Sequence, residues 1–170
     1  MASKIAAHAS HGFGPLLFPD SEILILGSFP SVLSRKQNFF YGHPMNRFWP
    51  LLFAIYGEEF SQDIVTKTNL CKRHHVALYD AIEECDIVGS SDSSIRNVVP
   101  ANIQEFLQKA PIRRIILNGK KSESCFYRYQ NVPSNIEIIT IPSTSPANAA
   151  WSMERLLEVW KKAKKRKQEK

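Results

Sequence analysis

One stretch near the N-terminus concentrates side chains that can bind a planar, polar substrate. The segment GSFPSVLSRKQNFFYGHPMNRFW, residues 27–49, carries aromatic rings, amides, hydroxyls and a histidine, but no carboxylate. Aromatic rings stack on a base, amides read its edge, and backbone N–H groups beside Gly and Ser hold phosphates. The segment therefore favours a nucleotide as its ligand.

Four short apolar runs are each followed directly by a polar segment of this kind. Because the carboxyl ends of parallel strands meet at one edge of a sheet, we expect the four segments to form one rim. Asp80 is the carboxylate that this pattern places on the rim. The runs and their following residues are 23–26 with Gly27, 76–79 with Asp80, 112–117 with Asn118, Gly119 and Lys120, and 136–141 with PSTSPANA at 142–149.

The alternation of apolar runs with helical segments predicts the fold. Strands separated by helices indicate a mostly parallel sheet with helices on both faces. We expect a single-domain α/β three-layer sandwich, with a central four-stranded parallel sheet flanked by helices. The first predicted helix begins at the cap Asn46 and ends near Tyr56, and the second begins at the cap Ser61 and ends near His74. Three more helices are predicted over 100–110, over 119–130 and from Asn148 or Ala149 onward.

Charge divides the 170-residue chain unevenly. The formal net charge is +6, and the segment KKAKKRKQEK, residues 161–170, accounts for all of it. We predict one domain over residues 1–160 and a basic tail over 161–170, which is either a solvated helix end or a phosphate-binding arm.

No apolar run reaches the roughly 20 residues of a membrane helix, so we expect no membrane partner. A cytoplasmic or nuclear monomer is the expectation.

Several common chemistries lack their motifs. The sequence has no GxGxxG, GxxxxGK[ST] or GxSxG, and its three cysteines form no CxxC pair. His74 and His75 are adjacent in a predicted helix and point to different faces, which makes them a poor metal pair. We expect neither a metal nor a cofactor. A small-molecule hydrolase is disfavoured because the rim lacks a nucleophile–base pair.

Four blocks of the sequence resemble the uracil-DNA glycosylase superfamily. The first is the segment at 27–49; the others are VALYDAIEECDIVGSSDSSIRN, IILNGKKS and PSTSPANA, in the same order. The likeness spans residues 27–160 and is greatest to the mismatch-specific uracil glycosylases and their hypoxanthine-DNA glycosylase (DNA-deoxyinosine glycosylase) relatives. It implies a four-stranded parallel sheet between helices and DNA with deaminated bases as partner.

The resemblance also assigns roles to residues. It implies that Asn46 holds the attacking water, that Tyr41 stacks on the flipped base, and that Asp80 reads the base. Pro146 and Ala147 match the loop that presses into the duplex. The chemistry of the residues themselves adds further expectations. Gly27, Ser28 and Phe29 are expected to contact the base, with backbone N–H groups near Ser28 and Phe29 donating to its oxygen. Phosphate contacts are expected from Ser143, Ser145, Asn148 and Lys120.

These roles describe a monofunctional glycosylase, since no lysine nucleophile is evident on the rim. An ionised Asp80 only accepts hydrogen bonds, which suits the N1–H of hypoxanthine better than uracil. Uracil as main substrate stays an alternative. A non-catalytic DNA-binding module is another, because Phe29 and Ser143 stand where relatives carry catalytic-type side chains.

Asp80 could instead brace the loop toward 90–94. Ser143, Ser145 and Asn148 could cap the last helix, and Arg47 could brace its loop or pair with phosphate.

Overall fold

The structure, a computed structural model, describes residues 5–165. Its centre is a four-stranded parallel sheet in the order β3-β2-β6-β7. The strands are β2 (Ile23–Gly27), β3 (Val76–Asp80), β6 (Arg114–Asn118) and β7 (Glu137–Ile141). Every residue of the first three is buried, as expected of mainly apolar strands covered on both faces. The predicted parallel sheet is confirmed.

Helices flank this sheet and enclose the main core. They are α1 (Val32–Gln37), α2 (Phe48–Ile55), α3 (Ile64–Arg73), α4 (Ile103–Lys109), α5 (Lys120–Tyr129) and α6 (Met153–Lys165). Four of the predicted starts were wrong. The N-cap of α2 is Arg47 rather than Asn46, and α4 begins at Ile103 rather than at 100. Asp63, not Ser61, caps α3 by accepting from the backbone N–H of Thr66. The last helix begins at Met153 rather than near Asn148.

A second, antiparallel sheet was not predicted. It contains β1 (Ala7–Ser10), β4 (Ile82–Ile87) and β5 (Arg96–Pro100), in the order β1-β4-β5. A small apolar cluster that includes Ile82, Cys85 and Cys125 joins this sheet to α5. The second sheet therefore places the 88–95 loop beside the carboxyl edge of the parallel sheet.

Helix α6 is tied to the opposite, amino edge of the parallel sheet. The fully buried Arg114 donates to Oε1 of Glu137 at 2.9 Å and to the carbonyls of Ala163 and Lys164 at 2.8 and 2.6 Å. Because α6 continues to Lys165, half of the basic segment 161–170 is helical, and the rest lies outside the described residues. None of the helices between residues 5 and 165 combines the length and the hydropathy of a membrane-spanning segment.

Candidate active site

A cavity of about 420 Å³ lies at the carboxyl edge of the parallel sheet. Strand register explains why distant residues meet there. Gly27, the last residue of β2, pairs with Asp80, the last residue of β3. Asn118 ends β6 beside Ile141 of β7. Among the predicted site residues, those lining the cavity are Gly27, Ser28, Phe29, Tyr41, Asn46, Asp80, Ser145, Pro146 and Ala147.

Asp80 is held by a residue that sequence analysis missed. Nε2 of His11 contacts Oδ2 of Asp80 at 2.7 Å, and both side chains are buried. His11 stacks on Tyr79, with ring centroids 4.1 Å apart, and its backbone N–H donates to the carbonyl of Glu83. The Asp80 side chain thus contacts His11 rather than bracing the loop at 90–94.

Gly27 leaves room for the Asp80 carboxylate. A Cβ atom at position 27 would lie 2.4 Å from Oδ1 of Asp80 and 3.0 Å from the hydroxyl of Tyr41. The first distance is too short for a carbon atom and the second is tighter than an ordinary contact, so the glycine permits the close approach of the two polar groups. The carboxylate has one oxygen against His11 and the other against the backbone at Gly27.

Tyr41 presents an aromatic ring to the cavity. Its ring stacks on Phe48, with centroids 3.9 Å apart, and its backbone has a positive φ of 53°. The Tyr41 hydroxyl accepts from Nδ2 of Asn118 at 3.3 Å. Burial, the larger cause, and the nearby Asp80 carboxylate raise the pKa of Tyr41 well above its ordinary value. The ring is therefore a fixed, neutral wall.

Asn46 lies on the cavity wall and also supports helix α2. Its Oδ1 accepts from the backbone N–H of Phe48 at 2.9 Å, and its own N–H donates to the carbonyl of His43. An amide oxygen has two lone pairs, so one acceptor position remains after the bond to Phe48. The N-cap of α2 is Arg47, so Asn46 lies one residue before the cap position that was predicted for it. Its side chain still accepts from the first N–H of the helix, and this bond leaves room for a water-holding role.

A second carboxylate on the cavity wall was missed by sequence analysis. Oδ1 of Asp92 accepts from the Ser28 hydroxyl at 2.8 Å. Desolvation, the largest cause, and the Asp80 carboxylate raise the pKa of Asp92, whereas the Ser28 bond and Lys121 act in the opposite direction. The signal in the sequence is only the run GSSDSS, whose small polar residues gave no reason to select the aspartate.

The PSTSPANA segment folds into consecutive tight turns. The Ser143 hydroxyl accepts from the N–H of Ser145 at 3.0 Å, and the Ser145 hydroxyl accepts from the N–H of Ala147 at 3.1 Å. Nδ2 of Asn148 donates to the carbonyl of Ser143 at 3.0 Å. These side chains build the loop and do not cap α6, which starts at Met153.

Three of the predicted DNA-binding residues lie outside the cavity wall. Ser143 lies at the start of the loop and packs against Gly119, because a Cβ atom placed at Gly119 would lie 2.9 Å from the Cβ of Ser143. Asn148 serves the turns described above. Lys120 is the exposed first residue of α5. Their phosphate contacts stay predictions, whereas Pro146 and Ala147 form the exposed tip of the loop at the edge of the cavity.

Arg47 joins the two motif loops. Its guanidinium donates to the carbonyls of Ser145 at 2.9 Å, Asn148 at 3.0 Å and Trp151, and its backbone N–H donates to Thr144 at 3.1 Å. Arg47 thus braces a loop, as one of its two sequence interpretations predicted, but the loop is the 144–151 segment rather than its own.

Replacing Arg47 with alanine is expected to destabilise the protein by about 1.5–3 kcal/mol, because several carbonyls lose a charged donor. Urea unfolding measures this change. Lys72→Ala is the matched control, since Lys72 is an exposed cation on α3, and surface changes stay within about 0.5 kcal/mol. An Arg47 variant as stable as that control would show that the bonds contribute nothing to the folded state.

Comparisons with known proteins agree with the geometry. The family model of the uracil DNA glycosylase superfamily matches residues 15–164. The chain is 33% identical over 147 residues to a hypoxanthine DNA glycosylase of Methanosarcina acetivorans, covering 85% of this chain and 91% of that protein.

Two further similarities point the same way. A hypoxanthine DNA glycosylase of Methanosarcina barkeri is 34% identical over 113 residues, which cover 65% of this chain and 72% of that protein. The fold is also similar to an NMR structure of a candidate uracil DNA glycosylase from Methanosarcina acetivorans. That likeness has a TM-score of 0.73 and 29% identity, and it covers 93% of this chain and 94% of the other.

Proposed function

The chain belongs to the uracil DNA glycosylase superfamily, and from this premise we propose that it is a monofunctional glycosylase that removes hypoxanthine from DNA. One observation carries the proposal: Asn46, Tyr41 and Asp80 line the same cavity. Its volume of about 420 Å³ lies within the usual range for small-ligand pockets, about 300–1,000 Å³. A base must leave the duplex to reach such a pocket.

The geometry supports hypoxanthine through the acceptor character of Asp80. His11 contacts Oδ2, while Oδ1 lies beside Gly27 on the cavity side. An ionised carboxylate oxygen accepts the N1–H of hypoxanthine but repels the bare N1 of adenine. Tyr41 stacks on the base, and the backbone N–H groups of Ser28 and Phe29 donate to its oxygen.

Hydrolysis then requires a positioned water. Asn46 uses its remaining lone pair to accept a hydrogen bond from that water, which attacks C1′ as the bond from C1′ to the base breaks. The electron pair of that bond leaves with the base. The proton that the water loses passes through solvent to the anionic base, so that the products are neutral hypoxanthine and an abasic sugar. Because an amide is a poor proton acceptor, Asn46 acts by holding the water in place.

The absence of lysine from the cavity wall supports a monofunctional reaction. Among the residues that the structure describes, neither Lys120 nor Lys121 lines the cavity. A Schiff base with the sugar needs an amine at C1′, so we expect an abasic site and an intact strand as products. Strand cleavage then depends on added alkali.

End-labelled duplexes with a single deoxyinosine or deoxyuridine test the proposal. We expect alkali-dependent breaks at deoxyinosine, without added metal or cofactor, and none with Asn46→Ala. Breaks mainly at deoxyuridine would replace hypoxanthine by uracil as the substrate. Breaks that appear without alkali would contradict the monofunctional mechanism, and tight binding without any break would indicate a non-catalytic module.

A further inference from the structure

A second groove, outside the base cavity, is lined with cations. Its volume is about 430 Å³, and its walls are the start of β5 and one face of α5. On α5 the lining residues Lys121, Ser124, Cys125 and Arg128 follow one another at helical spacing and therefore share a face. Arg96 faces them from β5, and we call this site the basic groove.

The cations of the basic groove form no salt bridges with the described residues. Within residues 5–164, no salt bridge joins Arg96, Lys121 or Arg128 to a carboxylate. Elsewhere Arg73, Arg113 and other cations do have such partners. Among the described residues that line the groove there is no carboxylate. Asp92 of the cavity wall interacts with Lys121 but forms no salt bridge with it, so the groove keeps a net positive charge.

The side chains of the groove are also partly ordered. Nη1 of Arg96 donates to the carbonyls of Ile95 and Ser93 at 2.8 and 3.2 Å. The Arg128 guanidinium lies 5.4 Å from the ring centroid of Tyr129, which is 38% exposed at the end of the groove. Such anchoring lowers the entropy lost when a ligand binds.

The basic groove continues from the base cavity along the chain. Ser90 to Ser93 line the cavity, and Ile95 to Val98 line the groove immediately afterwards. On the other wall, Asn118 lines the cavity and Lys121 begins the groove. Lys121 is close enough to Asp92 of the cavity wall to lower the pKa of that carboxyl. A polymer seated in the cavity can therefore extend into the groove.

We propose that the basic groove binds the phosphodiester backbone of the substrate DNA outside the flipped nucleotide, an inference that rests on the DNA-directed function proposed above. Arg128 follows Lys121 by seven positions in α5, which is about 10 Å along the helix axis. One strand of B-DNA rises about 3.4 Å per phosphate along the duplex axis. A groove of this length that runs parallel to the duplex axis thus spans about three phosphate steps.

The salt dependence of DNA binding tests this inference. Each lost phosphate contact flattens the slope of log K against log salt by about 0.9. For Lys121→Gln/Arg128→Gln we expect a slope shallower by about 1 to 2 on an undamaged duplex. The matched control, Lys72→Gln/Lys109→Gln, removes the same charge from α3 and α4 and should keep the slope of the unmodified protein.

A conservative variant separates charge from folding. Lys121→Arg/Arg128→Lys keeps both cations and should keep the slope, and unfolding curves verify that all variants are folded. An unchanged slope in the glutamine variant would overturn the inference, and so would equal flattening in the control. The assay needs no base release, so a failure of the hydrolytic function and a failure of the groove give different results.

Discussion

Replacing Asn46 with alanine is expected to slow base release by about 10²-fold or more, because no side chain then holds the attacking water in position. The same substitution removes the bond from the Phe48 N–H to Oδ1 of Asn46. We therefore expect a loss of about 1 kcal/mol in the free energy of unfolding. Single-turnover base release and urea unfolding measure the two effects separately.

Two further variants separate the water-holding role of Asn46 from its support of the start of α2. Asn46→Asp keeps an acceptor for the Phe48 N–H and for the water, so it should retain more activity than Asn46→Ala. Asn102→Ala is the matched control, since Oδ1 of Asn102 caps α4 by accepting from the Glu105 N–H away from the cavity. It should lose stability and keep its rate. An Asn46→Ala variant with the rate of that control would leave Asn46 only its structural role.

The parallel sheet could be predicted from the sequence because its strands are continuous apolar runs. The antiparallel sheet could not, since its strands lack a clear period of two. In β4 the register shifts twice, so the buried positions Ile82, Cys85 and Ile87 are unevenly spaced. Strand β1 has the sequence AHAS, which carries no apolar pattern. Its position depends on pairing with β4, a tertiary contact.

The position of the cavity at the carboxyl edge follows from the order of the strands, and for that reason most of the predicted site residues line it. The contact of His11 with Asp80 was not, because 69 positions separate the two residues. Nothing in the spacing of a single histidine between Ser10 and Gly12 indicates that partner. The start of α6 was misplaced because serine and asparagine side chains at 143–148 form turns that resemble helix caps in sequence.

Exchanging Asp80 for asparagine is expected to lower the ratio of hypoxanthine to uracil release by about tenfold or more. With its proton on Nε2, His11 donates a hydrogen bond to the side chain at position 80 and so turns an oxygen of that side chain toward itself. The introduced amide then points its oxygen at His11 and its NH₂ group into the cavity. This NH₂ group then faces the N1–H of bound hypoxanthine, so two donors meet without an acceptor between them. An unpaired buried donor costs about 1–3 kcal/mol.

The role of His11 gives this prediction its control. In His11→Phe/Asp80→Asn the amide has no donor to satisfy, so it can rotate and present its oxygen to the base. Part of the hypoxanthine preference should then return, although His11→Phe alone is expected to slow release of both bases by loosening the carboxylate. Rates on deoxyinosine and deoxyuridine duplexes under single-turnover conditions give the ratios for all four proteins. A ratio that stays constant across them would mean that Asp80 supports the wall of the cavity without selecting the base.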